Sequence, residues 1–470
     1  MPAEFSLVFQ RQKAAYLAHP VPSHAQRMAD LQALARMLKD HRDAIVQAIC
    51  QDYGNRSEFE TLFAEFFVVL EAIKDAQKNL RKWMKPQRRH IDRLMYPGAS
   101  NRVVPQPVGV VGVIVPWNFP LNLSFCPLAA ILAAGNRAMV KMSHNSGHLA
   151  ALLIDIAPHY FPEDKLKFFH DPGDRGPAFS SIPFDHLLFT GSGHTGRAVM
   201  ASAAKNLTPV TLELGGKSPA IVGPDFSIHQ AAERILWAKL FNAGQICTTV
   251  DYVFVPEGSV DAFVAHCQRL VQERVPDING PDVTSIIDQS AYDRLMFSLN
   301  DAAQQGATVL NLLPEQTPDP ALRKIAPHLV LNPTSEMLLM QREIFGPILP
   351  VKTYQHPDEV VAYINSQDRP LAIYPFTHDR DLQDFYISNV MSGGVSVNEA
   401  LLHVAQHDLP FGGVGASGMG HYHAQEGFNT FSKLRPVFYQ GPFSAIQMLF
   451  LPPYKGRALT LMNWLIKLKG

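Results

Sequence analysis

Apolar residues recur at three- and four-residue intervals early in the chain, in A-D-L-Q-A-L-A-R-M-L and F-E-T-L-F-A-E-F-F-V-V-L-E-A-I. This spacing places them on one face of a helix and predicts helices from Ala25 to about Trp83. Four prolines between residues 86 and 107 then predict an irregular or edge-strand segment. The run V-V-G-V-I-V that follows, within residues 108–116, is typical of a central parallel strand buried on both faces.

Strand-like and helix-like segments alternate from this point on. We predict strands at residues 108–116, 137–142, 166–170 and 185–190, and helices at 127–135, 149–157 and 197–205. A second series has strands at 209–214, 218–222, 251–255, 307–312, 328–331, 348–354 and 372–376, and helices at 228–240 and 260–271. This alternation predicts an α/β fold with two doubly wound parallel sheets and a boundary near Leu214 and Gly215.

The composition is that of a large globular protein. Of 470 residues, 47% are hydrophobic and 18% charged, and a net charge of −1 provides no basic excess for nucleic acid. The four cysteines form neither a C-x-x-C pair nor a dense framework, which favours the reducing cytoplasm. Since the Cys and His residues lack zinc spacing, we expect no metal site.

The last residues, 458–470, are apolar and end with lysines. We expect no membrane-spanning helix, because that requires an apolar run of about 18 residues or more. The tail admits two interpretations, contact with a membrane surface or docking on another subunit or domain. Its short length and few basic residues favour docking.

A glycine-rich turn, F-T-G-S-G-H-T-G-R-A, lies between a predicted strand and a predicted helix. Its spacing, with Gly191, Gly193 and Gly196, leaves backbone N–H groups at a helix start that can bind phosphate. A tight turn without a ligand is the alternative. Glu213 follows in P-V-T-L-E-L, either as a ribose ligand or as a catalytic carboxylate at a strand end.

Cys247 differs from the other cysteines in its setting. Cys50, Cys126 and Cys267 lie in apolar stretches and are expected to pack in the core. Cys247 lies in F-N-A-G-Q-I-C-T-T-V, after Gly244, where a loop near a helix end can stabilise a thiolate. It is therefore a candidate nucleophile.

Six segments, in this order, resemble motifs of the aldehyde dehydrogenase family. They are V-V-G-V-I-V-P-W-N-F-P-L, F-T-G-S-G-H-T-G, L-E-L-G-G-K-S-P, F-N-A-G-Q-I-C-T, E-I-F-G-P-I-L-P and L-P-F-G-G-V-G-A-S-G-M-G. The resemblance extends over about residues 104–431. The short N-terminus and L-L-H-V-A-Q-H-D-L-P-F-G-G-V-G are similar to the class 3 branch, which includes bacterial coniferyl-aldehyde dehydrogenases.

The resemblance implies oxidation of an aldehyde to the carboxylic acid through a cysteine thiohemiacetal and a thioester. Cys247 would be the nucleophile, Asn118 and the backbone N–H of Cys247 would hold the oxyanion, and Glu213 would activate water. The substrate would be an aromatic, cinnamyl-type or medium-to-long aliphatic aldehyde. A coenzyme-A-acylating dehydrogenase and a non-catalytic relative are the alternatives.

The resemblance also implies NAD or NADP as the cofactor. The implied residues line its channel, hold its riboses or face its pyrophosphate, and they are Pro116, Trp117, Lys141, His144, Gly191, Ser192, Gly196, Glu343 and Phe345. His144 stands where the family usually has a glutamate that repels a 2′-phosphate, which leaves NADP use open. Lys217, in G-G-K, is expected to be a structural ion-pair partner.

The family's layout implies two doubly wound α/β domains and a small β oligomerisation arm. The cofactor-binding domain would comprise residues 1–85 and 106–212, and the catalytic domain residues 213–415. Residues 86–105 and 416–470 would form the arm and the C-terminal tail. The implied assembly is a cytoplasmic homodimer.

Overall fold

The computed structural model describes residues 3–93, 95–442, 444, 451–452, 454 and 456–469. Its strands are β1 (Gln87–Arg89), β2 (Ser100–Pro107), β3 (Val110–Ile114), β4 (Arg137–Lys141), β5 (Leu166–Phe169), β6 (His186–Gly191), β7 (Val210–Leu214), β8 (Pro219–Val222), β9 (Tyr252–Pro256), β10 (Thr308–Asn311), β11 (His328–Leu331), β12 (Ile348–Tyr354), β13 (Ala372–Phe376), β14 (Gly394–Val395), β15 (Gly418–Met419) and β16 (Ser432–Tyr439).

Helices pack on the two large sheets described below and make up the N-terminal region. They are α1 (Ala3–Ala18), α2 (His24–Asp40), α3 (Arg42–Tyr53), α4 (Glu58–Thr61), α5 (Val68–Trp83), α6 (Asn122–Ala134), α7 (Gly147–Ile156), α8 (Gly176–Ser180), α9 (Gly193–Ala204), α10 (Ile228–Leu240), α11 (Val260–Arg274), α12 (Gln289–Gln304), α13 (Leu338–Gln341), α14 (Pro357–Asn365), α15 (Arg380–Asn389), α16 (Ala424–Thr430) and α17 (Gly456–Lys469). A π-helical segment, Leu62–Phe67, joins α4 to α5.

The first sheet is built around β3, whose residues are all buried. Its six strands lie in the order β15-β7-β6-β3-β4-β5, and every neighbouring pair is parallel except β15 with β7. Since β4 and β6 lie on opposite sides of β3, the strand order reverses there. Open α/β sheets bind ligands at such a reversal, beyond the carboxyl ends of the strands.

The second sheet has seven strands in the order β10-β11-β12-β9-β8-β13-β14. Its pairs are parallel except β10 with β11. The chain passes from β7 of the first sheet to β8 of the second through the short connection that contains Gly215, Gly216 and Lys217. The carboxyl end of β7 therefore lies next to the amino end of β8, and this arrangement forms the cleft described below.

The third sheet is antiparallel and has the order β1-β2-β16. β16 pairs with β2 along its full length, from Ser432 opposite Pro107 to Tyr439 opposite Ser100. Its middle residues are exposed. The region of the four prolines, which the sequence predicts as irregular or edge-strand, therefore contains two strands of a small sheet.

Most predicted strands agree with the structure to within two residues, but several helices differ. α6 begins at Asn122, ahead of the predicted start at Pro127, because the Glu65 carboxylate accepts the backbone N–H groups of Leu121 and Asn122 at 2.6 and 3.1 Å. This cap comes from a residue far away in the sequence. Several helices have no counterpart in the sequence prediction, among them α1, α12, α14, α15 and α17. Of these, α1 packs Phe5 into the core against the first sheet.

Among the described residues, no helix is both long and apolar enough to cross a membrane.

Candidate functional site

A cavity of about 340 Å³ opens between the carboxyl edge of the first sheet and the amino edge of the second. β3, β6 and β7 point their carboxyl ends into it, whereas the segments before β9 and β12 enter it from the other side. It collects nine of the residues predicted from the sequence, namely Pro116, Trp117, Asn118, Gly191, Ser192, Glu213, Cys247, Glu343 and Phe345. Lys141, His144 and Gly196 do not line it.

Cys247 is held by an unusual turn at the end of α10. Asn242, Ala243 and Gly244 have φ angles of 52°, 51° and 73°, so the chain is left-handed over consecutive residues. Gly244 is required there, because a Cβ would lie 2.4 Å from the Gly346 carbonyl oxygen. Cys247 remains partly exposed to the cavity while its neighbours are buried.

The buried side chain of Gln245 fixes the conformation of this turn. Its Nε2 donates to the carbonyl oxygens of Asn242 and Ser285, both at 3.0 Å. Its Oε1 accepts the backbone N–H of Ile287 at 3.0 Å. The cysteine loop is therefore anchored to the segment that precedes α12.

Asn118 faces Cys247 across the cavity with both its backbone and its amide fixed. Its carbonyl oxygen accepts the Tyr53 hydroxyl at 2.9 Å and Arg56 Nη1 at 3.0 Å. Its Nδ2 donates to the Gln245 carbonyl oxygen at 3.2 Å. An amide nitrogen carries two hydrogens, so the group can donate a second bond to an oxyanion in the cavity.

Glu213 lies on β7, opposite Thr190 of β6 and Gly418 of β15. Its side chain is buried, and within the described part of the chain neither carboxylate oxygen has a hydrogen-bond partner. Burial therefore raises the pKa of Glu213 well above its ordinary value. Perturbed carboxyl groups of this kind are concentrated at catalytic sites.

Two further ionisable groups of the cavity, Cys247 and Glu343, are also shifted towards their neutral forms. Burial, with smaller contributions from Glu343 and Glu213, raises the pKa of the Cys247 thiol to about 12. Burial and the nearby Asp251 raise the pKa of Glu343 to about 8, although the Gly216 N–H and Lys217 act in the opposite direction.

The glycine-rich turn connects β6 to α9. Ser192 is the N-cap of α9, and its Oγ accepts the Thr195 N–H at 3.3 Å. A Cβ on Gly196 would lie 2.6 Å from Leu214 Cδ2, so this glycine permits the helix to pack on β7. Gly191 and Ser192 at the helix start are the part of the motif that faces the cavity.

Lys141 and His144 lie apart from the cavity. Lys141 is buried, and its Nζ forms an ion pair with Asp171 Oδ2 at 2.5 Å. His144 is exposed at the start of a short 3-10 turn that follows β4. Their roles in binding the adenosine end stay predictions.

The residues of the cleft fit a dinucleotide on structural grounds. Oε1 of Glu343 is buried and has no protein partner among the described residues, as a ligand for a ribose hydroxyl would be before binding. The first turn of α9 offers backbone N–H groups at the reversal of the first sheet. Phe345 has a φ of 54° and meets Trp117 edge to face, with ring centroids 5.6 Å apart.

Sequence reasoning missed several groups that shape the site. Arg294 lines the cavity from α12, a helix that was not predicted. Gln245 and Asp251 act on site residues through contacts that no local pattern reveals. The left-handed turn could have been found, because Asn and Gly in F-N-A-G are residue types enriched at positive φ.

Comparisons with known proteins identify the family. The model of the aldehyde dehydrogenase family matches residues 5–437. A probable coniferyl aldehyde dehydrogenase of Pseudomonas aeruginosa is 48% identical over 452 residues, which cover 96% of this chain and 94% of that protein. The coniferyl aldehyde dehydrogenase of a Pseudomonas species is 44% identical over 447 residues, covering 94% and 92% of the two chains.

A solved structure shows the same fold at full length. The substrate-bound state of Staphylococcus aureus AldH superposes with a TM-score of 0.91 at 33% identity, covering 98% of this chain and 99% of that one. Members of aldehyde dehydrogenase family 3 also match, which agrees with the class 3 resemblance. With a family match over nearly its whole length, this chain belongs to the aldehyde dehydrogenase family and is an NAD(P)-dependent enzyme that oxidises aldehydes to carboxylic acids.

Proposed function

We propose that Cys247 is the nucleophile, Glu213 the general base and Asn118 the oxyanion donor of this reaction. The observation that carries the proposal is that these residues meet in one cavity with Glu343. The Cys247 thiol releases its proton to solvent and Sγ adds to the carbonyl carbon, and the Asn118 amide and the Cys247 backbone N–H stabilise the resulting oxyanion. The cofactor is held in the cavity by Pro116, Trp117, Gly191, Ser192, Glu343 and Phe345. Its adenosine and pyrophosphate end is supported by Lys141, His144 and Gly196.

When bound, the cofactor would supply the hydride acceptor that oxidises the thiohemiacetal. The product on Cys247 is a thioester. Glu213 then takes a proton from water, the hydroxide adds to the acyl carbon, and Cys247 leaves as the thiolate. Because the Glu213 carboxyl is buried and unpartnered, its deprotonated form is a stronger base than an exposed glutamate.

The substrate that we propose is an aromatic aldehyde of the cinnamyl type. The relatives named as coniferyl aldehyde dehydrogenases support this class at 44% and 48% identity. Aromatic rings at the site also support it, since Trp117 and Phe345 line the cavity. Medium-to-long aliphatic aldehydes are the alternative.

The first test follows cofactor reduction with coniferyl, benzyl-type, short aliphatic and long aliphatic aldehydes. We expect the highest kcat/KM with the coniferyl type and no turnover by Cys247→Ala. Cys50→Ala, a half-buried cysteine on α3, is the matched control and keeps full activity. Turnover by Cys247→Ala, or a preference for long aliphatic aldehydes, would contradict the respective part of the proposal.

A second test concerns NAD against NADP. His144 is exposed beyond β4, at the position where a glutamate would repel a 2′-phosphate, so we propose that the enzyme accepts both cofactors. His144→Glu is expected to raise the KM for NADP and leave the KM for NAD nearly unchanged. Equal effects on both cofactors would show that this position does not contact the 2′ substituent.

We also propose the division into cofactor-binding, catalytic and oligomerisation regions, and a cytoplasmic homodimer. The exposed edge of β16 supports self-association, because an edge strand offers unpaired backbone groups to a second copy. Light scattering after gel filtration tests the dimer, and a monomeric mass at micromolar concentration would contradict it.

A further inference from the structure

The segment that carries Glu343 and Phe345 has little regular structure of its own. It lies between the short helix α13 and strand β12. Phe345 has left-handed backbone at a φ of 54°, which is unfavourable for an aromatic residue. Such a conformation persists only where surrounding contacts impose it.

Lys217 supplies the first of these contacts. Its Nζ donates to the carbonyl oxygen of Leu339 at 2.6 Å and to that of Arg342 at 3.1 Å. The same ammonium pairs with Asp251 Oδ2 and lies over the Tyr252 ring, 5.6 Å from its centroid. One cation therefore holds both α13, through Leu339, and the residue just before Glu343.

Asp251 supplies the contact on the other side of Glu343. It is fully buried, and its Oδ1 accepts the Ile344 N–H at 2.9 Å. Its own N–H donates to the Ser218 carbonyl oxygen at 2.8 Å, which ties the start of β9 to the start of β8. Lys217 and Asp251 thus hold the residues on either side of Glu343. Lys217 binds residue 342, and Asp251 binds residue 344.

The connection between β7 and β8 also contacts the Glu343 side chain directly. Gly216 donates its N–H to the carboxylate. A Cβ on Gly215 would lie 2.1 Å from Glu343 Oε2, so the carboxylate occupies space that only a glycine leaves. Because this connection begins at Gly215, two residues after Glu213, one short stretch of backbone fixes the proposed base relative to the Glu343 carboxylate.

We propose that Lys217 and Asp251 are positioning residues, which fix the Glu343 carboxylate and the Phe345 ring against the nicotinamide end of the cofactor. The inference rests on the proposed function, which assigns Glu343 to the nicotinamide ribose. Neither residue lines the cavity, so both act through the segment that they hold. Loss of the pair displaces this segment and leaves Cys247 and Glu213 in place.

The test compares Lys217→Met with Lys165→Met in the full-length enzyme. Lys165 pairs with Asp30 at 2.7 Å and has a side-chain exposure of 12%, close to the 16% of Lys217, so it controls for the loss of a mostly buried ion pair. Three measurements are made: the cofactor Kd by fluorescence titration without aldehyde, the hydrolysis of 4-nitrophenyl acetate without cofactor, and the deuterium isotope effect on kcat with formyl-deuterated aldehyde.

For Lys217→Met we expect the cofactor Kd to rise about tenfold, since hydrogen bonds to a charged group are lost. A displacement of about 1 Å can slow a reaction on the order of 100-fold, so hydride transfer becomes rate-limiting and the isotope effect increases. Ester hydrolysis uses Cys247, Glu213 and Asn118 but no cofactor, and it stays within about twofold of wild type. Lys165→Met changes none of the three.

Equal losses in ester hydrolysis and aldehyde oxidation, or an unchanged Kd and isotope effect, would overturn the inference. Asp251→Asn is the second variant if Lys217→Met does not fold. It keeps an acceptor for the Ile344 N–H but turns an NH2 group towards the Lys217 ammonium, so we expect the same changes at smaller size.

Glu343→Gln separates this inference from the proposed function. If Glu343→Gln changes neither cofactor Kd nor isotope effect, the proposed cofactor role of Glu343 is wrong. If Glu343→Gln changes both and Lys217→Met and Asp251→Asn change neither, the role stands and the positioning inference is wrong.

Discussion

Glu213 and Glu343 are two carboxyl groups of one cavity that differ in their surroundings. Glu213 has no hydrogen-bond partner among the described residues, whereas Glu343 accepts the Gly216 N–H and lies near Lys217. Burial raises both pKa values, for Glu343 to about 8. The raised pKa means that the proposed base keeps its proton to higher pH than an exposed glutamate does and becomes effective as the pH rises.

The first prediction concerns this pH dependence. Hydrolysis of 4-nitrophenyl acetate requires the deprotonated forms of Cys247 and Glu213, and both pKa values are raised. The rate constant is therefore expected to increase steadily from pH 6 to pH 9, approaching about tenfold per unit where one proton limits the rate. A stopped-flow profile that is flat over this range would contradict the assignment.

The second prediction is the phenotype of Glu213→Gln. Cys247 can still be acylated, but no base activates water, so we expect a burst of one nitrophenol per site followed by very slow release. The steady rate should fall by about 100-fold or more, the usual size of a general-base contribution. Glu343→Gln is the control, since it should keep the steady ester rate.

Glu213→Gln should also stabilise the fold, and increasingly so at high pH. A folded-state pKa above the ordinary 4.5 means that the folded form holds a proton that the unfolded form releases, so wild-type stability falls as the pH rises above 4.5 towards the folded pKa. Glutamine has no proton to lose. Thermal unfolding of wild type and Glu213→Gln at pH 5 and pH 9 measures the stabilisation. A smaller stabilisation by Glu213→Gln at pH 9 than at pH 5 would contradict the prediction.

At the scale of elements, the connection between β7 and β8 determines the site. It crosses from the first sheet to the second after Leu214, the residue that follows Glu213, and contacts Glu343 through Gly215 and Gly216. Its shortness matters, because every residue added would let the two sheets move relative to each other. Gly215 leaves room for the Glu343 carboxylate, which any side chain at this position would displace.

The third prediction is that Gly215→Ala weakens cofactor binding. The new Cβ would lie 2.1 Å from Glu343 Oε2, so the carboxylate must turn away from its place. We expect the cofactor KM to rise about tenfold or more while ester hydrolysis is nearly unchanged. Gly258→Ala is the matched control, since no atom within 4 Å meets its Cβ. Equal KM values for both variants would contradict the prediction.

At the scale of the whole molecule, the N-terminal helices support the catalytic side chains. Arg56 is buried, pairs with Glu65 at 2.7 Å and donates to the Asn118 carbonyl oxygen at 3.0 Å. Its guanidinium lies between the rings of Tyr53 and Phe119, at 5.0 and 4.9 Å from their centroids. Residues from the first helices thus fix the proposed oxyanion donor.

The fourth prediction follows from this ion pair. Arg56→Met leaves Glu65 buried without its cation, a change that typically costs about 3–5 kcal/mol of unfolding free energy. It also removes one of the donors to the Asn118 carbonyl oxygen, so kcat should fall even where the variant is folded. Arg42→Met, at an exposed site, is the control and should lose little stability. Denaturant unfolding and kcat for aldehyde oxidation check both statements.

The sequence alone determined the fold class and most of the strands, because hydrophobic periodicity reports directly which faces are buried. Ile228–Leu240, His328–Leu331, Ile348–Tyr354 and Ala372–Phe376 have the predicted bounds. It missed amphipathic helices such as α12, whose polar faces obscure the pattern. Motif resemblance also named the cysteine, glutamate and asparagine that the structure brings to one cavity.

Only the tertiary structure decided how these side chains are held. Glu65 caps α6, Gln245 orients the cysteine turn, and Asp251 with Lys217 brackets Glu343, each across tens of residues or more. Periodicity reports local burial, whereas such contacts depend on which strand ends meet at the cleft. The raised pKa values also follow from the folded state, because a carboxyl group is deprived of water only after the sheets have closed around it.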